Sequence, residues 1–383
     1  MRAGSPEGRT REVVPVELFF DLVFVFAVSQ LSHHLLGHVT WRGAAETAVL
    51  LCAVFGVWAY TSFEATVLGV ARRSAQPALL GVMFLGLVMN ASIGQAFEDG
   101  AWVFVVPLLV CQFGYAALTV RAASLDAFRE HFGRVLVWFG ITAPLWIVGA
   151  IVSPEPRLAW WGAAALVDLV GTWLAHPVPR RVIHSDRMPF DAEHMIERLR
   201  LFLIIALGEA VLTTGTAIAG SPTHLPTVLA GLGGLAAVVA LWAVFFGGTN
   251  ALVRAHLDET TDPVRAARLG LAGMYVVLAG LIALAVGNEL VIAHPGAAGS
   301  WEVGLLLFGG PLLYLGAQGW YLARTQGRQF RWLWVACTAL VVGGLVARVL
   351  PGWASLVVLL VVLGGAVAGS GRSARTVAAV SDE

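Results

Sequence analysis

Two acidic residues four apart open the first apolar run of this chain, which reads Val16-Glu17-Leu18-Phe19-Phe20-Asp21-Leu22-Val23-Phe24-Val25-Phe26. On a helix Glu17 and Asp21 share a face, and like charges at that spacing repel, so the pair calls for a cation, a proton or an arginine. Glu17 alone also suits a helix N-terminus, where the dipole favours anions. A second cluster, His194-Met195-Ile196-Glu197-Arg198-Leu199-Arg200, precedes an apolar run ending in Gly208-Glu209. Its His194, Glu197 and Arg198 are expected in a cytoplasmic loop. Glu209 then lies ~14 Å into the next helix at ~1.5 Å per residue, and Gly208 permits close approach of a neighbour. Asp168 has a similar depth; Glu64, Asn90, Gln95, Asn288 and Glu289 complete the polar residues of the apolar segments. A carboxylate at the bilayer centre costs ~2.5–3.5 kcal/mol. Glu209, Asp168 and Asp21 therefore lead the candidates for a solute or ion pathway, while Asn90, Gln95 and Asn288 also suit hydrogen bonds between helices.

Other chemistry has little support. Gln30, His33 and His34 cluster at i, i+3, i+4 near the outer end of the first helix, with no third metal ligand in sight. Cys52, Cys111 and Cys337 each stand alone in an apolar stretch, which argues against a metal centre or a disulfide framework. The chain has no Walker-type phosphate loop, H-E-x-x-H or nucleophile elbow. No catalytic residue, metal or cofactor is indicated.

The elements that must position these residues are membrane helices. Hydrophobic residues make up 58% of the 383 positions and charged residues 13%, about half the charged share of soluble domains. Runs able to span ~30 Å of hydrocarbon fall at 16–36, 44–67, 77–96, 101–120, 134–153, 157–175, 199–219, 226–247, 269–293, 301–322, 331–349 and 352–369. The runs are too continuously apolar for barrel strands, so the expected fold is all-α, a polytopic bundle of about twelve transmembrane helices. Every one of the 24 basic residues is Arg, and with the N-terminus inside, alternate loops place all but Arg42, Arg157 and Arg348 in the cytoplasm. That asymmetry puts both termini there. The first segment carries Glu17 and Asp21 and lacks a cleavage site, unlike a signal peptide.

Two six-helix halves, 16–175 and 199–369, are expected around a cytoplasmic linker at 176–198, with cytoplasmic ends at 1–15 and 370–383. Arg134 and Pro154 are matched at equal spacing by Arg331 and Pro351, Pro107-Leu108-Leu109 by Pro311-Leu312-Leu313, Trp58-Ala59 by Trp242-Ala243, and Gly94-Gln95 by Gly287-Asn288. Six helices per half would relate the two by an axis along the membrane normal, a parallel repeat that commonly encloses a central site.

The run Glu17-Leu-Phe-Phe-Asp21-Leu-Val-Phe-Val-Phe-Ala27, together with Glu197-Arg198 and Leu201-Phe202-x-Ile204-Ile205-x-Leu207-Gly208-Glu209, resembles the bacterial low temperature requirement A family, and the resemblance covers nearly the whole chain. Arg200 departs from it, since the family often has Gly there. The resemblance implies a bacterial plasma-membrane protein with a role in growth at low temperature, and it brings no agreed substrate. Phe20-Asp21 is also faintly similar to the Phe-Ser-Asp motif of six-helix-repeat potassium channels, without the Ser and without a counterpart in the seventh helix.

The leading expectation is a secondary transporter, proton-coupled, with Glu209, Asp168 and Asp21 around a central polar site. Its rivals are a cation channel lined by helices 1 and 7, a lipid-active membrane enzyme using His194, Glu197 and Arg198 as headgroup site, and a structural or sensory protein of cold growth. The partners expected are membrane lipids, an unidentified small solute or ion, and further copies of the chain in a homo-oligomer. The formal net charge of zero gives no reason to expect nucleic acid.

Overall fold

Each of the twelve apolar runs falls on a helix in the computed structural model, which describes residues 13–68, 76–179, 190–222, 224–249, 262–326 and 330–381. The helices are α1 Pro15–Gly37, α2 Trp41–Leu68, α3 Gln76–Ala91, α4 Ala101–Ala122, α5 Asp126–Ile151 and α6 Pro154–Trp173. They continue with α7 Ala192–Gly220, α8 Leu225–Val244, α9 Pro263–Ala293, α10 Gly309–Gln326, α11 Arg331–Val346 and α12 Gly352–Ser381. A short turn, Trp301–Val303, and a π-helical turn, Gly304–Phe308, lead into α10, and a second π-helical turn, Phe245–Thr249, extends α8. Among the described residues nine helices are long and apolar enough to cross a membrane. The others are α3 and α11, which are apolar but short, and α6.

Local chemistry sets the helix starts. Proline, which has no N–H to lose in a first turn, opens α1, α6 and α9. Asp191 and Asp262 cap α7 and α9 by accepting the N–H groups of His194 and Arg265, each at 2.9 Å. The first cap corrects the expected boundary: α7 begins at Ala192 rather than 199, so His194, Glu197 and Arg198 are helical and do not lie in a loop. Helix α3 ends at Ala91 instead of 96, and a 3-10 turn, Ile93–Gln95, follows. The expected tail at 370–383 is helical as far as Ser381. Residues 1–12 and 180–189 of the expected terminal segment and linker lie outside the described residues.

The halves repeat one pattern of neighbours. In the first, α1 packs on α2 and α3, then α3 on α4, α4 on α5, α5 on α6 and α6 back on α2; in the second, α7 packs on α8 and α9, then α9 on α10, α10 on α11, α11 on α12 and α12 back on α8. The halves meet where α1 lies against α7 and α9, and α2 against the same two helices. Phe20, Phe24, Phe55, Trp58 and Phe202 are fully buried at this junction. Phe84, Val106, Ile141, Leu166, Leu212, Val335 and Val361 are exposed on the outside, an apolar exterior that requires hydrocarbon around it.

Arginines tie the ends together. Arg157 donates to the carbonyls of Gly149 at 3.0 Å, Ala96 at 3.2 Å and Val152 at 3.2 Å. At that same end Arg42 bridges Glu46 at 2.8 Å and Glu155 at 2.9 Å, and His34 faces Glu46 at 3.4 Å. At the opposite end Arg134 donates to the carbonyls of His176 at 2.8 Å and Ala175 at 3.1 Å. Those bonds hold Ala175 and His176 at φ of 57° and 55°, a left-handed backbone that costs a residue with a side chain about 1–3 kcal/mol.

Candidate functional site

The first turns of α1 and α7 cross inside the protein, and their charged residues meet there. Glu17, Asp21, His194 and Arg198 are each no more than 2% exposed. The Arg198 guanidinium donates to Asp21 Oδ1 at 2.6 Å and lies 4.0 Å from Glu17 Oε1. His194 Nε2 is 3.2 Å from the same Glu17 oxygen. Trp58 of α2 donates its indole N–H to Asp21 Oδ1 at 2.7 Å. The guanidinium also packs on the Phe20 ring at 5.5 Å and the Trp58 ring at 5.6 Å, which places a weakly hydrated cation against aromatic faces. Glu17 Oε2 accepts the Val14 N–H at 3.1 Å, so this carboxylate both closes the start of α1 and faces α7.

Two acids, one guanidinium and one imidazole share this space. With His194 neutral and both acids ionised the group carries one net negative charge, and one added proton balances it. Among the described residues Asp21 Oδ2 and Arg198 Nε and Nη1 are buried without hydrogen-bond partners, so the cluster keeps polar capacity that its own members do not fill. Tyr115 of α4 is within electrostatic reach of Glu17, Glu64 and Arg198, and its buried hydroxyl also has no hydrogen-bond partner among the described residues. Glu64 is 1% exposed and lies beside Thr119. Asn90 supports α1 from α3 by donating to the Val23 carbonyl at 2.7 Å.

The remaining sequence candidates lie elsewhere. Asp168 accepts the Trp146 indole N–H at 3.3 Å, and its carbonyl accepts the Thr172 hydroxyl at 2.9 Å, at a junction of α5 and α6. Glu209 is half-buried, ~26 Å along α7 from Ala192 at ~1.5 Å per residue, not ~14 Å from a start at 199. Gly208 beside it faces outward, and a Cβ built there would meet nothing within 4 Å, so the expected close helix approach is absent among the described residues. Glu197 turns away from His194 and Arg198 to pair with Arg200, whose guanidinium packs on Phe246. Gln95 is exposed, and its carbonyl accepts from Glu98 and Gly100 at 2.9 Å each. Asn288 is buried against Gly234 of α8, and Glu289 stands near His33.

Sequence reasoning missed Trp58 as a site residue, although it stood out as one member of a repeated Trp-Ala pair. Its repeat counterpart Trp242 is 48% exposed, whereas Trp58 is 0% exposed. The missed signal was a large N–H-bearing ring inside a membrane helix, where a buried indole must find an acceptor.

These features define a multi-pass helical membrane protein with a buried ionic cluster at the junction of two six-helix halves. The sequence profile of the family described as bacterial low temperature requirement A protein (LtrA) matches residues 12–368, and the chain belongs to that family. It is similar to an uncharacterized protein of Rhizobium meliloti (strain 1021), 30% identical over 309 residues that cover 79% of this chain and 75% of the relative. No solved structure matches the chain.

Proposed function

We propose that this protein is a proton-coupled secondary transporter of a small solute or ion, seated in the bacterial plasma membrane with both termini in the cytoplasm. The observation that carries this reading is the charge balance of Glu17, Asp21, His194 and Arg198: one proton separates a neutral buried cluster from a singly negative one. Buried ionisable groups inside a membrane bundle mark ion pathways and proton relays. The cluster also joins α1 and α7, the leading helices of the two halves, so its protonation state bears on how the halves fit together. Asp168 and Glu209 are the further acidic positions along such a pathway.

The rival readings draw less support. In a channel, Asp21 would face an open cation path, yet it holds Arg198 and Trp58. In a lipid-active enzyme, His194, Glu197 and Arg198 would converge on a headgroup, yet Glu197 points away from the other two.

Flux in liposomes tests the proposal. Protein reconstituted with an imposed pH gradient is expected to drive saturable uptake of at least one member of a panel of ions and small solutes. His194→Gln is expected to remain folded and lose the dependence on the gradient. Gradient-driven uptake by His194→Gln equal to that of wild type would sink the proton site, and electrogenic flux that never saturates would favour a channel.

A further inference from the structure

A second polar group sits at the Arg134 end of the molecule, apart from the ionic cluster. Between α2, α5, α6 and α9 lies a small chamber whose wall includes Tyr60, His131, His176, Arg268 and Tyr275. Arg268, Tyr275, Thr172 and Leu271 also border an adjoining groove between α6 and α9, whose other residues, Leu169, Val170 and Ala272 among them, are apolar. Chamber and groove thus share one wall at the seam between the halves, with the polar residues in the chamber and the groove almost wholly apolar.

Arg268 makes no ion pair among the described residues; the carboxylate acting on it electrostatically is Asp262 of the α9 cap, while Arg265 repels it. His176 is 4% exposed, and its buried Nδ1 has no hydrogen-bond partner among the described residues, while Nε2 meets the Tyr60 hydroxyl at 2.8 Å. Burial, together with His131, Arg134 and Arg268, holds His176 down at about 3, so its imidazole is neutral at physiological pH. The Thr172 hydroxyl donates to the Asp168 carbonyl at 2.9 Å, so the Tyr60 hydroxyl donates to Thr172 at 2.6 Å and accepts from His176 Nε2, which leaves Nδ1 an acceptor. A cation with no ion pair among the described residues, next to an apolar groove, matches an anionic head on an apolar chain. Asp168, the acid behind Tyr60 and Tyr275, does not line the chamber.

We propose that the chamber and groove form a lateral site for an anionic phospholipid, its phosphate on Arg268 and one acyl chain along Leu169, Val170, Ala272 and Val276. The site does not depend on the transport reading.

Native mass spectrometry of the purified full chain with phosphatidylglycerol, phosphatidylcholine or inorganic phosphate tests it. Wild type is expected to retain phosphatidylglycerol in preference to phosphatidylcholine. Arg268→Gln should weaken that retention about fivefold or more, the share one arginine contributes at an anionic lipid surface. Ala272→Phe, which fills the groove and leaves every charge in place, should weaken it too. Arg265→Gln removes the same charge one turn away at an exposed position and should leave retention unchanged. Equal loss in Arg265→Gln and Arg268→Gln would reduce the effect to general surface charge and overturn the site. Inorganic phosphate bound as tightly as the lipid, or full retention by Ala272→Phe, would overturn the lipid assignment.

Discussion

Asp21 and Arg198 form the contact of the ionic cluster in which neither partner reaches solvent, so their value depends on each other. Removing one charge from a buried pair costs about 3–5 kcal/mol because the other is left uncompensated, whereas replacing both with apolar groups can be neutral. Asp21→Asn is therefore expected to lower stability by about that amount in denaturant unfolding of detergent-solubilised protein. Asp21→Asn combined with Arg198→Met should recover most of the loss; a double variant no better than Asp21→Asn would show that the pair is not what holds this junction. Glu17→Gln is expected to be milder, about 1 kcal/mol. Glu17 is 2% exposed, and in Gln the amide oxygen still accepts the Val14 N–H while the NH2 group donates to Nε2 of a neutral His194. The sequence made these acids visible because charge in an apolar run is conspicuous. Their partners were not visible, since Arg198 stands 177 positions from Asp21 and Trp58 stands 37 away, and helical periodicity reports only neighbours within a few residues.

At the scale of elements, helix existence was legible and helix starts were less so. The start of α7 was placed too late because its charged first turns look like a loop. Those charges are in fact spent in pairs, His194 with Glu17, Arg198 with Asp21 and Glu197 with Arg200, and the one local sign of the true start was Asp191 three residues before His194. Asp191→Ala should cost about 1 kcal/mol and speed amide exchange in the first turn of α7, with α1 protected as before; unchanged exchange at His194 would remove the cap from the account. Helices α9 and α10 cross with backbone close to backbone. A Cβ on Gly280 would come 2.5 Å from the Gly310 carbonyl oxygen, and one on Gly310 would come 2.6 Å from the Gly280 carbonyl oxygen. Because both obstacles are backbone, Gly280→Ala must push the helices apart and should cost about 1–3 kcal/mol. Gly81→Ala, with nothing within 4 Å, should change stability by less than ~1 kcal/mol; equal losses in thermal unfolding would show that the close crossing is not specific.

For the whole molecule, the question is whether α3, α6 and α11 cross the membrane, since length and hydropathy alone do not mark them as spans. Helix α3 has 16 residues, ~24 Å at ~1.5 Å per residue, short of the ~30 Å hydrocarbon core. Parity decides in favour of crossing. Glu17 and His194 touch near the N-termini of α1 and α7, so these helices start at one end of the bundle and an even number of passes separates them. Arg42 and Glu155 likewise join the starts of α2 and α6, and Trp41 stacks on Trp301 at 5.8 Å, joining the start of α2 to the turn before α10. If α3 alone turned back, the first two contacts would both fail; if α6 alone did, Glu17 and His194 would stand at opposite ends. Helix α11 is fixed similarly, because a Cβ on Gly299 would meet the Ala347 carbonyl oxygen at 2.4 Å, which puts the end of α11 beside the entry to α10. Reporter fusions are therefore expected to read opposite sides across each short helix: cytoplasmic at 74 and external at Gly100, external at Ser153 and cytoplasmic at Pro177, cytoplasmic at Phe330 and external at Pro351. The cytoplasmic assignments follow the arginine asymmetry of the sequence, and the alternation follows from the contacts. All six readings inverted would reverse the orientation and keep the fold. The same reading on both sides of α3 or α6 would break the Glu17–His194 contact, and with it the ionic cluster on which proton coupling rests.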